Sequence, residues 1–126
     1  MKVKIARQDV YIPEWKNNKK FPEAEQIKVE FSYMTAEQEE KFSTIVPKYR
    51  GTETSNINVE VEIHTNANAI WDECVKKVIG LFDEDTGKEI TDPKKVRGIP
   101  GIYGLITDVV AHIKKGIEEE EIKNLR

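Results

Sequence analysis

The clearest pattern along the chain is an alternation of apolar and polar residues in three separate segments. These segments are Lys2 to Ile12, Ile27 to Tyr33 and Ile57 to Ile63. Because successive side chains of a β-strand point to opposite faces of a sheet, a period of two predicts half-buried strands. Strands with one apolar face suit a small antiparallel or mixed sheet whose other face meets water.

A different spacing, typical of an amphipathic helix, follows the second predicted strand. The helix should begin at Ala36, because Thr35 and Gln38 have the spacing of a capping box. It should end near Val46, since the following Pro47 cannot continue a helix.

The middle of the chain has the longest run of helical spacing, and we interpret it as the main core helix. It is expected to begin near Ala69 after an asparagine cap, Asn66 or Asn68, and to end at Gly80. Its apolar face would consist of Ile70, Trp71, Cys74, Val75, Val78 and Ile79. Trp71, the largest of these side chains, is predicted to be its buried anchor.

Two short elements are predicted next. Phe82 to Ile90 reads as a hairpin whose turn has Gly87 at a positive φ. Asp92 and Pro93 then start a single turn of helix.

The last helix is expected to begin near Ile102, after a break rich in glycine and proline. Its apolar face consists of Leu105, Ile106, Val109, Val110 and Ile113. Gly116 interrupts this pattern, and the acidic segment 117–126 is expected to extend the helix through Leu125. Strands mostly early and about three helices mostly late predict one α+β domain over residues 1–126.

Composition narrows the class of protein. The chain has 126 residues, 38% hydrophobic and 34% charged, which suits one folded domain with a modest core. A net charge of −3 with both signs interspersed argues against a nucleic-acid surface. No apolar run approaches the roughly 20 residues that span a bilayer, and no signal peptide is recognisable, so a cytoplasmic location is expected.

The acidic turn of the predicted hairpin resembles a calcium-binding loop at first sight. Asp83, Asp85 and Gly87 supply the familiar residue types. A calcium loop, however, needs glycine and glutamate where this chain has Lys88 and Lys94. We therefore predict an ordinary hairpin turn and no metal.

The nucleophilic and metal-ligating residues are few. His64 and His112 lie far apart in the sequence, and neither has a metal-ligand spacing to Cys74. Cys74 has apolar neighbours at helical spacing, so a buried, inert thiol is expected. The sequence predicts no catalytic residue, no metal ligand and no cofactor.

Two segments are candidates for binding a protein partner. Trp15 and Phe21 lie in a polar stretch, Glu14 to Glu25, that we interpret as an irregular loop. The alternative is that Trp15 folds back over an edge of the sheet. The terminal segment adds three spaced apolar residues, Ile117, Ile122 and Leu125.

A diffuse resemblance to a known group spans most of the chain. It rests on the amino-terminal strand pair, Phe31-Ser-Tyr-Met-Thr-Ala-Glu-Gln, Trp71-Asp-Glu-Cys-Val-Lys-Lys-Val-Ile-Gly, Asp85-Thr-Gly-Lys-Glu-Ile, Ile99-Pro-Gly-Ile-Tyr-Gly-Leu-Ile, and Glu-Glu-Glu-Ile-Lys-Asn from Glu119 to Asn124. In this order the chain resembles small proteins from the tail-morphogenesis region of long-tailed bacteriophages and prophages, particularly tail assembly chaperone-like proteins. The resemblance implies no enzyme, no cofactor, and binding to phage structural proteins in the host cytoplasm.

Two alternatives stay open. Such chaperones are helix-rich, whereas this chain has several predicted strands, so a tail completion or connector protein associated with the virion is one of them. A small inhibitor or regulator that covers the surface of a partner enzyme is the other. Each of these roles requires a protein partner rather than nucleic acid or membrane, and a homo-oligomer is also open.

Overall fold

The computed structural model describes residues 1–3, 7–43 and 67–124, and of residues 43 and 117–124 it describes the backbone alone. Within them, three antiparallel strands form a sheet in the order β1-β2-β3: β1 Gln8–Tyr11, β2 Lys28–Ser32 and β3 Val75–Ile79. The α-helices are α1 Ala36–Ser43, α2 over residues 67–74, α3 Pro93–Arg97 and α4 Tyr103–Asn124. The predicted α+β class is confirmed. The third predicted strand, Ile57 to Ile63, lies outside the described residues.

The first strand is shorter than the predicted Lys2 to Ile12. Residues 1–3 are not in a strand, and residues 4–6 lie outside the described part of the chain. Gln8 pairs with Ser32, and the Tyr33 amide donates to the Arg7 carbonyl, 3.1 Å away. After Ser32 the chain of β2 leads into the N-cap of α1, so β2 offers β1 no further pairing partner.

The sheet has one buried and one polar face, as the period of two predicts. Val29 and Phe31 of β2 are fully buried against the helices. Glu30, between them, lies on the other face, opposite Val10 of β1 and Lys77 of β3. Opposite charges across neighbouring strands are favourable on such a face.

The main correction concerns the middle helix. It was predicted to continue to Gly80, but α2 ends at residue 74 and β3 begins at Val75. Val78 pairs with Val29 and Val75 with Phe31, because a register shift between Glu30 and Phe31 places an extra residue in β3. The bulge lets two valines three positions apart share one face, so their spacing fits a bulged strand as well as a helix. The branched side chains of valine favour the strand.

Gly80 therefore ends a strand rather than a helix. Its φ is 84°, and a Cβ at this position would collide with the backbone carbonyl of Gln26. Glycine is required there because two backbone segments approach each other closely.

The predicted start of the first helix is confirmed. Thr35 Oγ1 accepts from the Gln38 amide at 3.1 Å, and Gln38 Oε1 accepts from the Thr35 amide at 3.0 Å. These reciprocal bonds form a capping box. The predicted helix end near Val46 lies outside the described residues.

The hairpin and the short helix predicted after β3 are also present in the structure. Phe82 and Glu89 form an antiparallel bridge, and Gly87 has φ 72° in the turn between them. The Asp92 carboxylate caps α3 by accepting from the Lys94 amide at 3.0 Å.

The core lies between the buried face of the sheet and the helices. Trp71 of α2 is fully buried, and its Nε1 donates to the Pro93 carbonyl at 2.8 Å. The predicted apolar face of α4 is buried beside it and comprises Leu105, Ile106, Val109, Val110 and Ile113. Gly116 interrupts α4 with φ 73°, at the predicted position.

Replacing the indole anchor should strongly destabilise the protein. Trp71→Ala is expected to lower the free energy of unfolding by roughly 3 to 5 kcal/mol, because it leaves a large cavity in a close-packed core. Equilibrium unfolding in denaturant measures the change.

Two variants calibrate that result. Trp71→Phe keeps most of the apolar volume but loses the bond to Pro93, so its loss should be smaller. Phe82→Ala removes a side chain that is 60% exposed and should leave stability almost unchanged. A Trp71→Ala variant as stable as Phe82→Ala would contradict the buried anchor.

Candidate partner-binding site

One stripe of α4 positions the chain that follows β1. Gly104, Asp108 and His112 are spaced four residues apart, so they lie above one another on one face of the helix. Together they contact the chain between Tyr11 and Trp15. The stripe lies beside the apolar face that enters the core.

Asp108 is the central contact of this stripe. Its Oδ1 accepts from the Tyr11 hydroxyl at 2.7 Å, and its Oδ2 accepts from the amides of Glu14 and Trp15 at 2.8 and 3.0 Å. Hydrogen bonds to an ionised carboxylate are among the stronger ones in proteins. One side chain thus fixes both the end of β1 and the backbone that follows.

The aromatic ring of Tyr11 adds a second contact. It stacks on His112 with ring centroids 4.0 Å apart and planes 11° from parallel, while Phe31 meets His112 edge-on at 5.4 Å. Burial, followed by the hydrogen bond to Asp108, raises the pKa of Tyr11 above its ordinary value. The hydroxyl therefore stays protonated at neutral pH and serves as a donor.

Trp15 lies against the first turn of α4. A Cβ built on Gly104 would lie 2.6 Å from the indole Nε1, so the indole occupies the space that a larger residue would need. The Lys16 Nζ lies 4.8 Å from the centroid of the Trp15 ring, within the range of a cation–π contact.

The segment Glu14 to Glu25 is irregular, as its composition suggests, but it is ordered. Short 3-10 turns lie within Trp15–Lys20 and Glu23–Glu25, and the first is broken by left-handed backbone at Lys16 (φ 50°) and Asn17 (φ 60°). The buried Asn18 amide donates to the carbonyls of Pro13 and Ile27 at 2.9 and 3.0 Å, and its Oδ1 accepts from the Ile27 amide at 2.7 Å. Asn18 therefore joins the two ends of the segment, which residue composition alone does not reveal.

An open groove lies between this segment and the hairpin that follows β3. Its volume is about 520 Å³. Trp15 and Lys16 line one wall, Leu81 and Phe82 line another, and the turn 99–102 closes a third side. Most of the lining residues are apolar, and Lys16, Asp83 and Glu84 add charged groups.

Phe82 is the most exposed residue of this wall. Its side chain is 60% exposed, although the hairpin around it is well hydrogen-bonded. The amide of Ile90 donates to the Leu81 carbonyl and that of Asp83 to the Lys88 carbonyl, both at 2.8 Å. The exposed aromatic ring is thus held on an ordered backbone.

A hydrogen bond within the acidic turn, accepted by one of its carboxylates, stabilises the turn. Asp83 Oδ1 accepts from the Asp85 amide at 2.9 Å. This bond, with a smaller contribution from the Thr86 hydroxyl, keeps the pKa of Asp83 below its ordinary value. In the part of the chain that the structure describes, no group of three or more His, Cys, Asp or Glu residues is placed to hold a metal ion.

The predicted partner-binding residues fall in different places. Trp15 is partly buried and lines the groove, whereas Phe21 is 53% exposed and lies outside the groove lining. The side chains of the other three, Ile117, Ile122 and Leu125, are outside the described residues. Phe82 is not among the predicted partner-binding residues, although an aromatic residue directly before an acidic turn is a usable signal.

Cys74 is buried, as predicted from its apolar neighbours. The side chain is 1% exposed, and burial, with a smaller contribution from Glu73, raises the pKa of the thiol to about 11. A thiol in that setting is a poor nucleophile at neutral pH.

Searches of protein-family models, curated proteins and solved structures gave no significant match to the chain. Among the helices that the structure describes, none combines the length and apolar character needed to cross a membrane.

A small change on α4 should disturb one wall of the groove. Gly104→Ala is expected to displace the Trp15 indole, because the added methyl group would overlap its ring edge. In a proton–nitrogen NMR spectrum, the indole signal of Trp15 should move while that of Trp71 stays in place.

Gly98→Ala is the matched control. A Cβ there would approach the Lys95 carbonyl oxygen no closer than 3.4 Å, an ordinary contact. If both variants leave the Trp15 signal unchanged, the indole does not lie against Gly104.

Proposed function

We propose that this protein acts by binding another protein, with the groove between Trp15 and Phe82 as part of the contact surface. The observation that carries the proposal is the 60% exposed Phe82 at the edge of an open, mainly apolar groove. Aromatic side chains beside pockets are typical anchors of protein interfaces. A partner would bury apolar surface that the described fold leaves in contact with water.

The groove is preformed, because it exists in the protein without a partner. Asp108 fixes the Trp15 wall, and backbone hydrogen bonds fix the hairpin wall. Binding to a preformed site loses less conformational entropy than binding that must order a loop. This rigidity supports a binding role for the groove.

The proposed role is non-enzymatic. The side chains whose chemistry could serve catalysis have structural uses. Asp108 and Tyr11 form a hydrogen bond with each other, and Cys74 is buried with a raised pKa. His112 stacks on Tyr11. These contacts support structural roles for all four residues.

The sequence resemblance supplies the class of partner. We propose that the partner is a structural protein of a phage or prophage tail, bound during assembly in the cytoplasm of the host cell. Phe21 and the terminal segment after Gly116 stay candidates for additional contacts with it.

Co-expression with the products of the genes that neighbour the gene for this chain tests the proposal. Phe82→Ser should sharply reduce recovery of a tail protein, because it replaces the exposed aromatic side chain at the edge of the groove with a polar one. Val10→Ser is the control, since Val10 is 50% exposed on the open face of the sheet.

Two further variants locate the contact. Phe21→Ser and a chain ending at Gly116 should retain the partner if the groove dominates binding. Equal recovery by Phe82→Ser and the wild type would remove the groove from the interface. Failure of the wild type to recover any tail protein would reject the proposed partner class.

A further inference from the structure

The two walls of the groove carry opposite charges. Asp83 and Glu84 of the hairpin line the groove, and so does Lys16 of the segment that follows β1. The groove is therefore electrically asymmetric as well as apolar. An asymmetric groove can select both the charge and the direction of a bound segment.

The hairpin wall carries an excess of acidic side chains. The Asp85 amide stabilises the ionised form of Asp83, and Glu84 is exposed at the same turn. Asp85 and Glu89 follow within the hairpin, against a single base, Lys88. The local field beside Phe82 is thus acidic.

We infer that the groove binds a partner segment in which an apolar side chain is followed closely by lysine or arginine. This inference rests on the proposed protein-binding function. The apolar side chain would lie between Trp15 and Phe82, where the lining is apolar. The basic side chain would meet Asp83 and Glu84.

Lys16 favours one orientation of the bound partner segment in the groove. Its ammonium group lies over the face of Trp15 and disfavours a second basic residue on that side of the groove. An acidic or neutral residue fits there instead. A segment with acidic residues on the hairpin side would face the carboxylates of Asp83 and Glu84, and like charges brought together weaken binding.

A library of random peptides displayed on yeast, selected against the full chain, provides the probe. Enriched peptides should carry the apolar and basic pair. Synthetic copies labelled with fluorescein should bind the wild type, compete with one another, and shift the NMR signals of Leu81 and Phe82. Binding should weaken at high salt, because exposed charge pairs are screened.

Charge reversal at the hairpin is the sharpest variant. Glu84→Lys should weaken binding of the basic peptides by roughly threefold to tenfold, as expected for exchanging an attraction for a repulsion at an exposed site. A peptide whose lysine or arginine is replaced by glutamate should regain affinity for this variant. Glu39→Lys, an exposed change of equal charge on α1, should have little effect.

The outcomes separate this inference from the proposed function. Enriched peptides that are acidic or uncharged, or an equal loss in Glu39→Lys, would overturn the inferred charge preference and leave groove binding intact. Peptides that bind Phe82→Ser as well as the wild type, or no enrichment at all, would overturn both. A self-association that Phe82→Ser abolishes would replace the peptide by a second copy of this chain.

Discussion

The carboxylate of Asp108 is the contact on which the shape of the groove depends. It reaches the amides of Glu14 and Trp15 across 94 and 93 positions of the sequence and also accepts from the Tyr11 hydroxyl. These bonds attach the end of β1 to α4, in the same region where β1 pairs with β2. The chain that follows β1 consequently runs along the helix and does not extend away from it.

Two glycines allow close contacts in the segments that form the groove. Gly104 leaves room for the Trp15 indole, and Gly80 lets the end of β3 pass the backbone at Gln26. The hairpin after β3 adds Phe82 to the lining of the groove, to which Trp15 also belongs. Each wall is fixed by contacts of its own, so the apolar surface between them exists without a partner.

Local patterns predicted much of this fold, and contacts between distant segments account for the rest. The capping box at Thr35 and the apolar face of α4 follow from spacing within a few residues. The spacing of Val75 and Val78 fits both a helix and a bulged strand, and only pairing with β2 decides between them. The groove brings Trp15 beside residues far along the chain, and no local pattern encodes that proximity.

Amide hydrogen exchange in the Asp108→Ala variant tests the central claim most directly, namely that this carboxylate holds the groove wall in place. We predict faster exchange at the amides of Glu14 and Trp15 and through the following 3-10 turn, because their acceptor is lost. Amides of β2 and of the buried face of α4 should exchange as in the wild type. Unchanged exchange at Glu14 and Trp15 would show that other contacts hold the wall, and would contradict the account.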